Sequence, residues 1–457
     1  MIDKISNEGK YTKRRDVIMK KRILSVMLVM AMTAGMAAGC GNSDKNTDSN
    51  AKKDNASGKK IVLNFWCHQN DAWTVSYKKM AEKFNKSQDK YEVKVTDYPF
   101  SAYSEKIQTS LTSAKDGADI LAVWGGMAPD FIKTDALSEV PEDLVSELES
   151  DYMDPTLGIY KKDGKYYGVP MEYNLEYGGM IVNKKMFEEK GISYPTTWEE
   201  LRKVSQEVSV SNGDLVEVKG FEMLDGDSLF CNYLAMILQQ GGQYLNEDNS
   251  VNFATPEGIK AMEEILSMVD NGECDLEHLT NGDYCYNDVY QGIGYMASVG
   301  SWAISDGLES YDLTYGEDFE YAQVPMYGDK MGFASETGWG IIVPEVGEHK
   351  EGAWEFVKFF SEPENLVEHN IACAQLPPRK SLLENEKYKE ELPQVEFLLE
   401  ILPDGQWMGP YNTSDMRTRF NEMFIDLCQS ENRDIEKALT DVSKSISEEC
   451  QIGYSME

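Results

Sequence analysis

Short apolar segments alternate with amphipathic ones between residues 61 and 124, and this rhythm constrains the fold more than any other feature of the chain. Residues 61–66, 91–95 and 118–124 have the β-branched, aromatic or alternating character of strands. The stretches between them carry apolar residues at helical spacing, and Asp71 is placed to cap the first of these helices. This order predicts an α/β fold with a mostly parallel sheet and helices on both faces.

The overall charge limits the partners of the chain. Its formal net charge is −35 at pH 7, while 41% of its residues are hydrophobic, so the chain is acidic but globular. Binding to a phosphate backbone needs clustered Lys and Arg, so no nucleic-acid partner is expected. The roughly 400 residues after position 60 exceed one ordinary hydrophobic core and predict two domains.

Cysteine and histidine residues are too scattered for metal chemistry. The chain has eight Cys and four His, with no CxxC pair and no HExxH motif. We therefore predict no metal site and no cofactor. Apart from Cys40 the cysteines are odd in number, which favours buried free thiols, with a Cys274–Cys285 bridge as the alternative.

The N-terminal segment has the composition of an export signal followed by a tether. A basic start at 19–22 precedes an apolar run at 23–36, and three small residues lead into Cys40. This stretch resembles a bacterial lipoprotein signal, which implies cleavage before Cys40 and lipid attachment to its thiol.

Residues 1–39 are therefore predicted to be a signal peptide, with translation starting at Met1 or Met19. Residues 40–60 are predicted to be a lipid-anchored flexible tether, because they are almost without apolar side chains. Two alternatives stay open, a twin-arginine export signal at 12–15 and an ordinary N-terminal helix that buries Cys40.

Several tryptophans fall at strand ends or glycine-rich turns. Ligands of open α/β sheets bind beyond the carboxyl ends of strands, where flat aromatic faces can stack on sugar rings. Core packing is the alternative for each of them. Trp73, Trp198 and Trp354 fit helix patterns and are assigned to cores, and Trp407 is left open. The candidate stacking residues are Trp66, Trp124, Trp302 and Trp339.

The segment GKYYGVPMEYNLEYGGMIVNKKMFEEKGISYPTTWEEL, residues 164–201, is the most specific in the chain. It resembles the extracellular solute-binding proteins of family 1, the sugar-capturing lipoproteins of ABC importers. Further stretches resemble family signatures in the family's order, including YMASVGSW and LPPRKSL. Val182 replaces the usual Tyr, and the stretch WMGPYNTSDMRTRF departs in detail.

The resemblance implies a periplasmic-binding-protein-like fold, with two α/β lobes, a hinge and a ligand cleft between the lobes. Lobe 1 is predicted to comprise residues 61–173 and 320–372. Lobe 2 is predicted to comprise residues 174–319 and 373–457.

The resemblance also implies which side chains line the cleft. Glu176 corresponds to the family's cleft acid, and Trp302 to the stacking tryptophan of a Gly-x-Trp turn. Trp66, Trp124 and Trp339 stand where the first lobe usually contacts ligand. The remaining predicted rim or cleft residues are Tyr173, Tyr177 and Arg379.

These features predict an exported, monomeric binding lipoprotein on the outer face of the cell membrane, which captures an oligosaccharide and delivers it unaltered to an ABC permease. It is not expected to be an enzyme. One alternative is a secreted glycan-cleaving enzyme, because a sequence this acidic always contains some pair of carboxylates that could act together. The other is a receptor for a peptide or another small polar solute.

Overall fold

Two five-stranded sheets, each flanked by helices, organise the part of the chain that the computed structural model describes, which is residues 60–113, 115–212 and 215–452. The strands are β1 Ile61–His68, β2 Tyr91–Tyr98, β3 Ile120–Trp124, β4 Lys161–Lys162, β5 Lys165–Tyr166, β6 Val169–Pro170, β7 Tyr173–Asn174, β8 Gly179–Asn183, β9 Val210–Asn212, β10 Leu215–Glu222, β11 Gly294–Ser298, β12 Phe319–Gln323, β13 Phe333–Thr337, β14 Trp339–Ile342 and β15 Gly405–Trp407. The helices are α1 Asp71–Ser87, α2 Phe100–Thr112, α3 Ala128–Lys133, α4 Glu142–Asp151, α5 Asp154–Leu157, α6 Lys184–Lys190, α7 Trp198–Val208, α8 Ser228–Gln239, α9 Pro256–Asp270, α10 Glu277–Asn281, α11 Tyr286–Gln291, α12 Ala303–Glu309, α13 Lys350–Ser361, α14 Pro363–Ala372, α15 Glu386–Glu391, α16 Glu396–Ile401, α17 Ser414–Gln429 and α18 Ile435–Glu449.

The first sheet has the strand order β2-β1-β3-β14-β6. Strand β1 runs parallel to β2 and to β3, as the sequence predicts, because helices α1 and α2 form the connections between them. Strand β14 comes from a distant part of the chain and pairs antiparallel with β3 and β6. The carboxyl ends of β1, β2 and β3 therefore share one edge with the amino end of β14.

The second sheet has the order β12-β8-β11-β10-β9. Only β10 and β11 run parallel within it, and the other neighbours are antiparallel. The predicted parallel order therefore holds for β1, β2 and β3, while β14 adds two antiparallel pairings to the first sheet and the second sheet is mostly antiparallel. One reason is that β9 and β10 are joined by a two-residue connection, which permits antiparallel pairing only.

A small third sheet, with the order β15-β13-β7, lies where the chain passes between the two large sheets. Strand β7 follows β6 of the first sheet and precedes β8 of the second. Strand β13 follows β12 of the second sheet and precedes β14 of the first. Two chain crossings are thus paired with each other, since β7 and β13 are antiparallel neighbours.

The division of the chain between lobes stays a prediction. Strand β12 pairs with β8 in the second sheet, although lobe 1 is predicted to resume at residue 320. We propose that the chain crosses back after Gln323, and that the small third sheet forms the hinge.

Helix α1 shows how the first sheet obtains its core. Its residues Trp73, Tyr77, Met80 and Phe84 are all buried, as the helical spacing predicts. The cap differs from the prediction, because the Asn70 side chain accepts hydrogen bonds from the backbone amides of Ala72 and Trp73. Asp71 is instead the first helical residue, where its negative charge interacts favourably with the positive end of the helix dipole.

The cysteines in the described residues are all free. The alternative of a Cys274–Cys285 bridge is therefore wrong, since both thiols are reduced and buried. Cys428 is half-buried, and the other described cysteines are buried as predicted. Such thiols act as small apolar core residues.

Among residues 60–113, 115–212 and 215–452, no helix combines the length and the hydropathy required to cross a bilayer. The predicted signal peptide, Cys40 and nearly all of the predicted tether lie outside the described residues.

Candidate ligand-binding cleft

An aromatic row lines the edge of the first sheet where β1, β2 and β3 end. Trp66 lies near the end of β1 and Trp124 at the end of β3, and both are partly exposed. Trp339, at the start of β14, is paired in register with Trp124. The imidazole of His68 stacks on the Trp339 indole, with 3.7 Å between ring centres and 15° between planes. The row therefore brings three indoles and an imidazole to one edge.

A buried carboxyl group holds this aromatic row from behind. Glu172 is fully buried and accepts hydrogen bonds from the Trp339 amide at 2.5 Å and from Trp73 Nε1 at 3.3 Å. Burial raises the pKa of Glu172 to about 8, although both donors oppose that rise. The adjacent Gly338 has no room for a side chain, since an added Cβ would lie 2.2 Å from Glu172 Oε1.

Across the cleft, Glu176 and Trp302 form the central pair of the second sheet's edge. Glu176 precedes β8, and Trp302 follows β11 in a turn that opens helix α12. Glu176 Oε1 accepts from Trp302 Nε1 at 2.9 Å, and Oε2 accepts from the Gly300 amide at 3.0 Å. The indole lies back over Gly300, where a Cβ would meet the ring at 2.6 Å. Burial, reinforced by the negative charge of Asp227, raises the pKa of Glu176 to about 8.

Two tyrosines extend this edge beside Trp302. Tyr284 and Tyr286 each meet the Trp302 ring edge to face, with centres 5.4 and 5.3 Å away. Tyr284 keeps 41% of its surface accessible, and yet burial raises its pKa. These rings therefore extend the aromatic surface around Trp302.

Asp306 connects the two edges on one side of the cleft. It lies in helix α12 and accepts a hydrogen bond from the Tyr286 hydroxyl at 2.6 Å. Burial raises the pKa of Asp306, and hydrogen bonds from Tyr286 and from Asn70 oppose this. Because Asn70 follows β1 of the first sheet, the two sheets approach each other here.

A pair of aspartates follows β10, at the carboxyl edge of its parallel pairing with β11. Asp225 is buried and accepts hydrogen bonds from the amides of Ser228 and Cys285. Asp227 is more open, with 38% of its side chain exposed, although burial raises its pKa. Asp227 is therefore a carboxylate that a bound molecule can reach.

Arg417 of helix α17 joins both edges of the cleft. Its guanidinium lies 4.9 Å from the centre of the Trp124 ring, and its Nε is 2.7 Å from Asp227 Oδ1. Nη2 donates to Glu336 Oε1 at 2.7 Å, and Nη1 donates to Asn412 Oδ1 at 2.8 Å. Glu336 lies on β13 of the small third sheet. One buried cation thus holds together the first sheet's edge, the second sheet's edge and the strand between them.

The family assignment follows from a family model, that of the bacterial extracellular solute-binding proteins, which matches residues 70–366. That span is more than half of the chain. The chain belongs to this family. The resemblance stated from residues 164–201 is therefore confirmed.

Individual relatives of this solute-binding protein are distant in sequence. It is similar to the arabinooligosaccharide-binding protein of Halalkalibacterium halodurans, at 21% identity over 78% of this chain and 81% of the relative. Among solved structures it is similar to the cyclic α-maltosyl-1,6-maltose binding protein of Arthrobacter globiformis, with a TM-score of 0.68, 22% identity, and coverage of 85% of this chain and 99% of the other.

A solute-binding protein of an ABC transporter from Thermotoga lettingae, bound with α-D-tagatose, gives a TM-score of 0.70 at 19% identity, covering 85% of this chain and 99% of the other. These likenesses confirm the predicted periplasmic-binding-protein-like fold, in which two α/β lobes enclose a cleft.

Three other predicted cleft residues have side chains that are committed elsewhere in this solute-binding protein. Tyr173 is fully buried, and its hydroxyl is 2.5 Å from Ser335 Oγ. Tyr177 is buried with its ring stacked against Phe333. Their contacts support a role in holding the hinge strands, and their predicted place at the rim or in the cleft stays a prediction.

Arg379 belongs to a separate ion network. Its Nε donates to Asp151 at 2.6 Å and its Nη2 to Glu147 at 3.2 Å, both on helix α4, while Nη1 donates to the Ser361 carbonyl. These contacts occupy the guanidinium, and they give no support to the predicted ligand contact.

The sequence did not point to several groups that the structure brings into the cleft, namely His68, Asp227, Tyr284, Tyr286, Asp306 and Arg417. The pattern Asp-x-Asp after β10 was a usable signal, because ligand groups collect beyond the carboxyl ends of parallel strands. Arg417 had no such signal, since it stands in the stretch that departs from the family's pattern.

One cluster has the ligand types of a metal site, outside the cleft. Glu222, His278 and Asp288 place a ligand atom each within 4.8 Å of one another. The ammonium of Lys219 lies among them, 2.7 Å from Asp288 and 3.4 Å from Glu222. A lysine therefore supplies the positive charge that a metal would bring, and the buried cluster fits an internal ion network.

Proposed function

We propose that this solute-binding protein is the substrate-binding lipoprotein of an ABC importer, and that it captures an oligosaccharide in the cleft and delivers it unaltered to a membrane permease. The meeting of an aromatic edge with a carboxylate edge carries the proposal. Indole faces fit the C–H faces of sugar rings, and carboxylates accept hydrogen bonds from hydroxyls.

The comparisons agree with this assignment. The named relative is called an arabinooligosaccharide-binding protein, and the A. globiformis protein is called a cyclic α-maltosyl-1,6-maltose binding protein. The aromatic row comprises more than one indole, which favours several sugar rings over one. The ligand contacts proposed for the first sheet are Trp66, Trp124 and Trp339, and those for the second are Glu176 and Trp302.

A thermal-shift screen of the exported, purified protein tests the proposal. The probes are maltotriose, cellotriose, xylotriose, arabinotriose and mannotriose, with glucose and arabinose as monosaccharide controls. A trisaccharide at about 100 times its dissociation constant should stabilise the folded protein by about 2.7 kcal/mol. A folded protein that responds to no sugar, but to a panel of short peptides, would move the assignment to a peptide receptor.

The same sample separates binding from hydrolysis. We expect chromatography to recover the bound trisaccharide intact after prolonged incubation, because a receptor releases what it binds. Shorter products that disappear in a Glu176→Gln variant would instead establish the glycan-cleaving alternative.

We also propose that the mature protein begins at lipid-modified Cys40, that residues 40–60 tether it to the outer face of the membrane, and that it acts as a monomer. The small residues before Cys40 support the anchor. Labelled palmitate should enter the wild-type protein and not Cys40→Ala, and the variant should appear in the soluble fraction. The sedimentation coefficient of the Cys40→Ala protein tests whether it is a monomer. If the Cys40→Ala protein stayed with the membrane fraction, that result would argue against the lipid anchor.

A further inference from the structure

We infer that the cleft selects uncharged sugars and rejects sugars that carry a carboxylate, phosphate or sulfate. This inference rests on the proposed function, because it describes the same site, and it specifies the class of glycan that the site accepts.

Carboxyl groups outnumber cations in the contacts that define the cleft. Glu176 and Asp306 stand beside the Trp302 cluster, and Asp225 and Asp227 follow β10. Glu336 lies under Arg417 on the strand between the lobes. Within residues 60–113, 115–212 and 215–452, the ion pairs of these five acidic side chains involve one cation, Arg417.

That cation is already paired with protein carboxylates. Its Nε lies 2.7 Å from Asp227 Oδ1 in an ion pair without hydrogen-bond geometry. Its two Nη atoms donate to Glu336 and Asn412, and its Cζ lies 4.9 Å from the centre of the Trp124 ring. Its exposed side-chain fraction is only 6%. A ligand anion would therefore have to compete with two protein carboxylates for a guanidinium that they already hold.

The imidazole beside the aromatic row does not supply a charge either. His68 is 6% exposed and stacks on Trp339, and burial lowers its pKa to about 3. Its Nδ1 has no hydrogen-bond partner within the described chain, and neither has the Ser301 hydroxyl next to Trp302. Both are neutral groups suited to sugar hydroxyls.

The protein's own acids show how this environment treats negative charge. Burial raises the pKa of Glu176, of Asp227 and of Asp306, and neighbouring carboxylates add to the rise. A carboxylate on a ligand would meet the same desolvation, and it would be repelled by those of the acids that are ionised. A neutral sugar hydroxyl carries no charge to be desolvated or repelled, and it can donate hydrogen bonds to the carboxyl groups.

Matched sugars test the inference directly. Maltotriose, cellotriose and mannotriose are each compared with the same glycan oxidised to the carboxylate at C6, by isothermal titration of the full exported protein at pH 7.5. We expect the neutral member of the best-binding pair to bind at least tenfold more tightly. Raising the salt concentration should narrow this ratio, because repulsion between charges is screened.

The outcomes distinguish the two proposals. If no neutral or oxidised glycan binds, the proposed function fails. If oxidised glycans bind as tightly as their neutral partners or more tightly, the protein is a sugar receptor and the inference about charge is overturned.

A pair of isosteric variants locates the effect. Asp227→Asn removes one accessible carboxylate and frees one edge of Arg417, so we expect the neutral-to-acidic ratio to fall severalfold. The control is Asp89→Asn, whose fully exposed carboxylate precedes β2, and it should leave the ratio unchanged. An unchanged ratio in a folded Asp227→Asn protein, together with no salt dependence, would contradict an electrostatic origin.

Discussion

The two edges of the cleft occupy equivalent places in their sheets and differ in chemistry. The first presents indole faces and keeps its carboxyl, Glu172, behind them. The second presents Trp302 and two tyrosines together with carboxyl groups that reach the cleft. We infer that stacking on the first edge contributes affinity for sugar rings in general, while the second edge orients hydroxyls and determines which sugars fit.

The largest effect is expected where the two edges are joined. Arg417→Met leaves Glu336 and Asp227 unpaired, so the free energy of unfolding should fall by about 3–5 kcal/mol and sugar binding should be lost. Arg379→Met is the matched control, because this arginine is also buried among carboxylates. Urea denaturation should show a comparable loss for both, while titration should show lost binding only for Arg417→Met.

The pH dependence of stability compares the buried acids. The pKa of Glu172 is about 8 in the folded protein, against about 4.5 for a free side chain, so between these values only the unfolded chain has lost the proton. The contribution of Glu172 to the free energy of unfolding is therefore complete below about pH 4.5, and it declines as the pH rises to about 8. In Glu172→Gln, the decline between pH 5 and pH 8 should be smaller by about 2–4 kcal/mol.

Denaturation at both pH values measures this difference. Glu172→Gln should be less stable at pH 5, since its NH2 group replaces one of the two oxygens that accept from Trp339 and Trp73. Glu82→Gln, which changes an exposed residue of helix α1, should keep the wild-type slope. An equal slope in all three proteins would show that Glu172 is ionised throughout.

Substitutions of Trp302 and Trp339 separate the contribution of the aromatic face to sugar binding from that of the indole N–H group. Trp302→Ala should weaken trisaccharide binding at least tenfold, about 1.4 kcal/mol or more, because it removes both the face and the donor to Glu176. Trp302→Phe keeps an aromatic face, so its affinity for the trisaccharide should lie between those of Trp302→Ala and the wild-type protein. At Trp339, whose Nε1 has no bond to Glu176, the Phe variant should recover most of the binding. Equal losses at the two positions would remove the distinction between the edges.

The smallest effect is expected at the outer rim of the first edge. Phe100 is 56% exposed and meets Trp339 edge to face at 6.3 Å. Phe100→Ser should change the free energy of unfolding by less than about 0.5 kcal/mol. Binding should weaken less than threefold by titration. A tenfold loss would extend the aromatic row to this residue.

The sequence predicted the parallel order of the first three strands, because each is joined to the next by a helix whose apolar spacing is visible in the chain. It failed for the second sheet, whose antiparallel neighbours are distant in sequence or joined by a tight turn. For the cleft it indicated Glu176 and Trp302 together, and the structure shows them hydrogen-bonded.

What the sequence determined by itself was local: the helical faces, the strand ends that carry tryptophans, and the motifs of a solute-binding family. The tertiary structure decided which charged side chains are committed. The sequence alone does not distinguish Arg379 from Arg417. In the folded protein Arg379 is ion-paired with helix α4, whereas Arg417 lies against Trp124 between the two edges. Ion pairing and burial depend on neighbours far away in the chain, and only the folded protein brings those neighbours together.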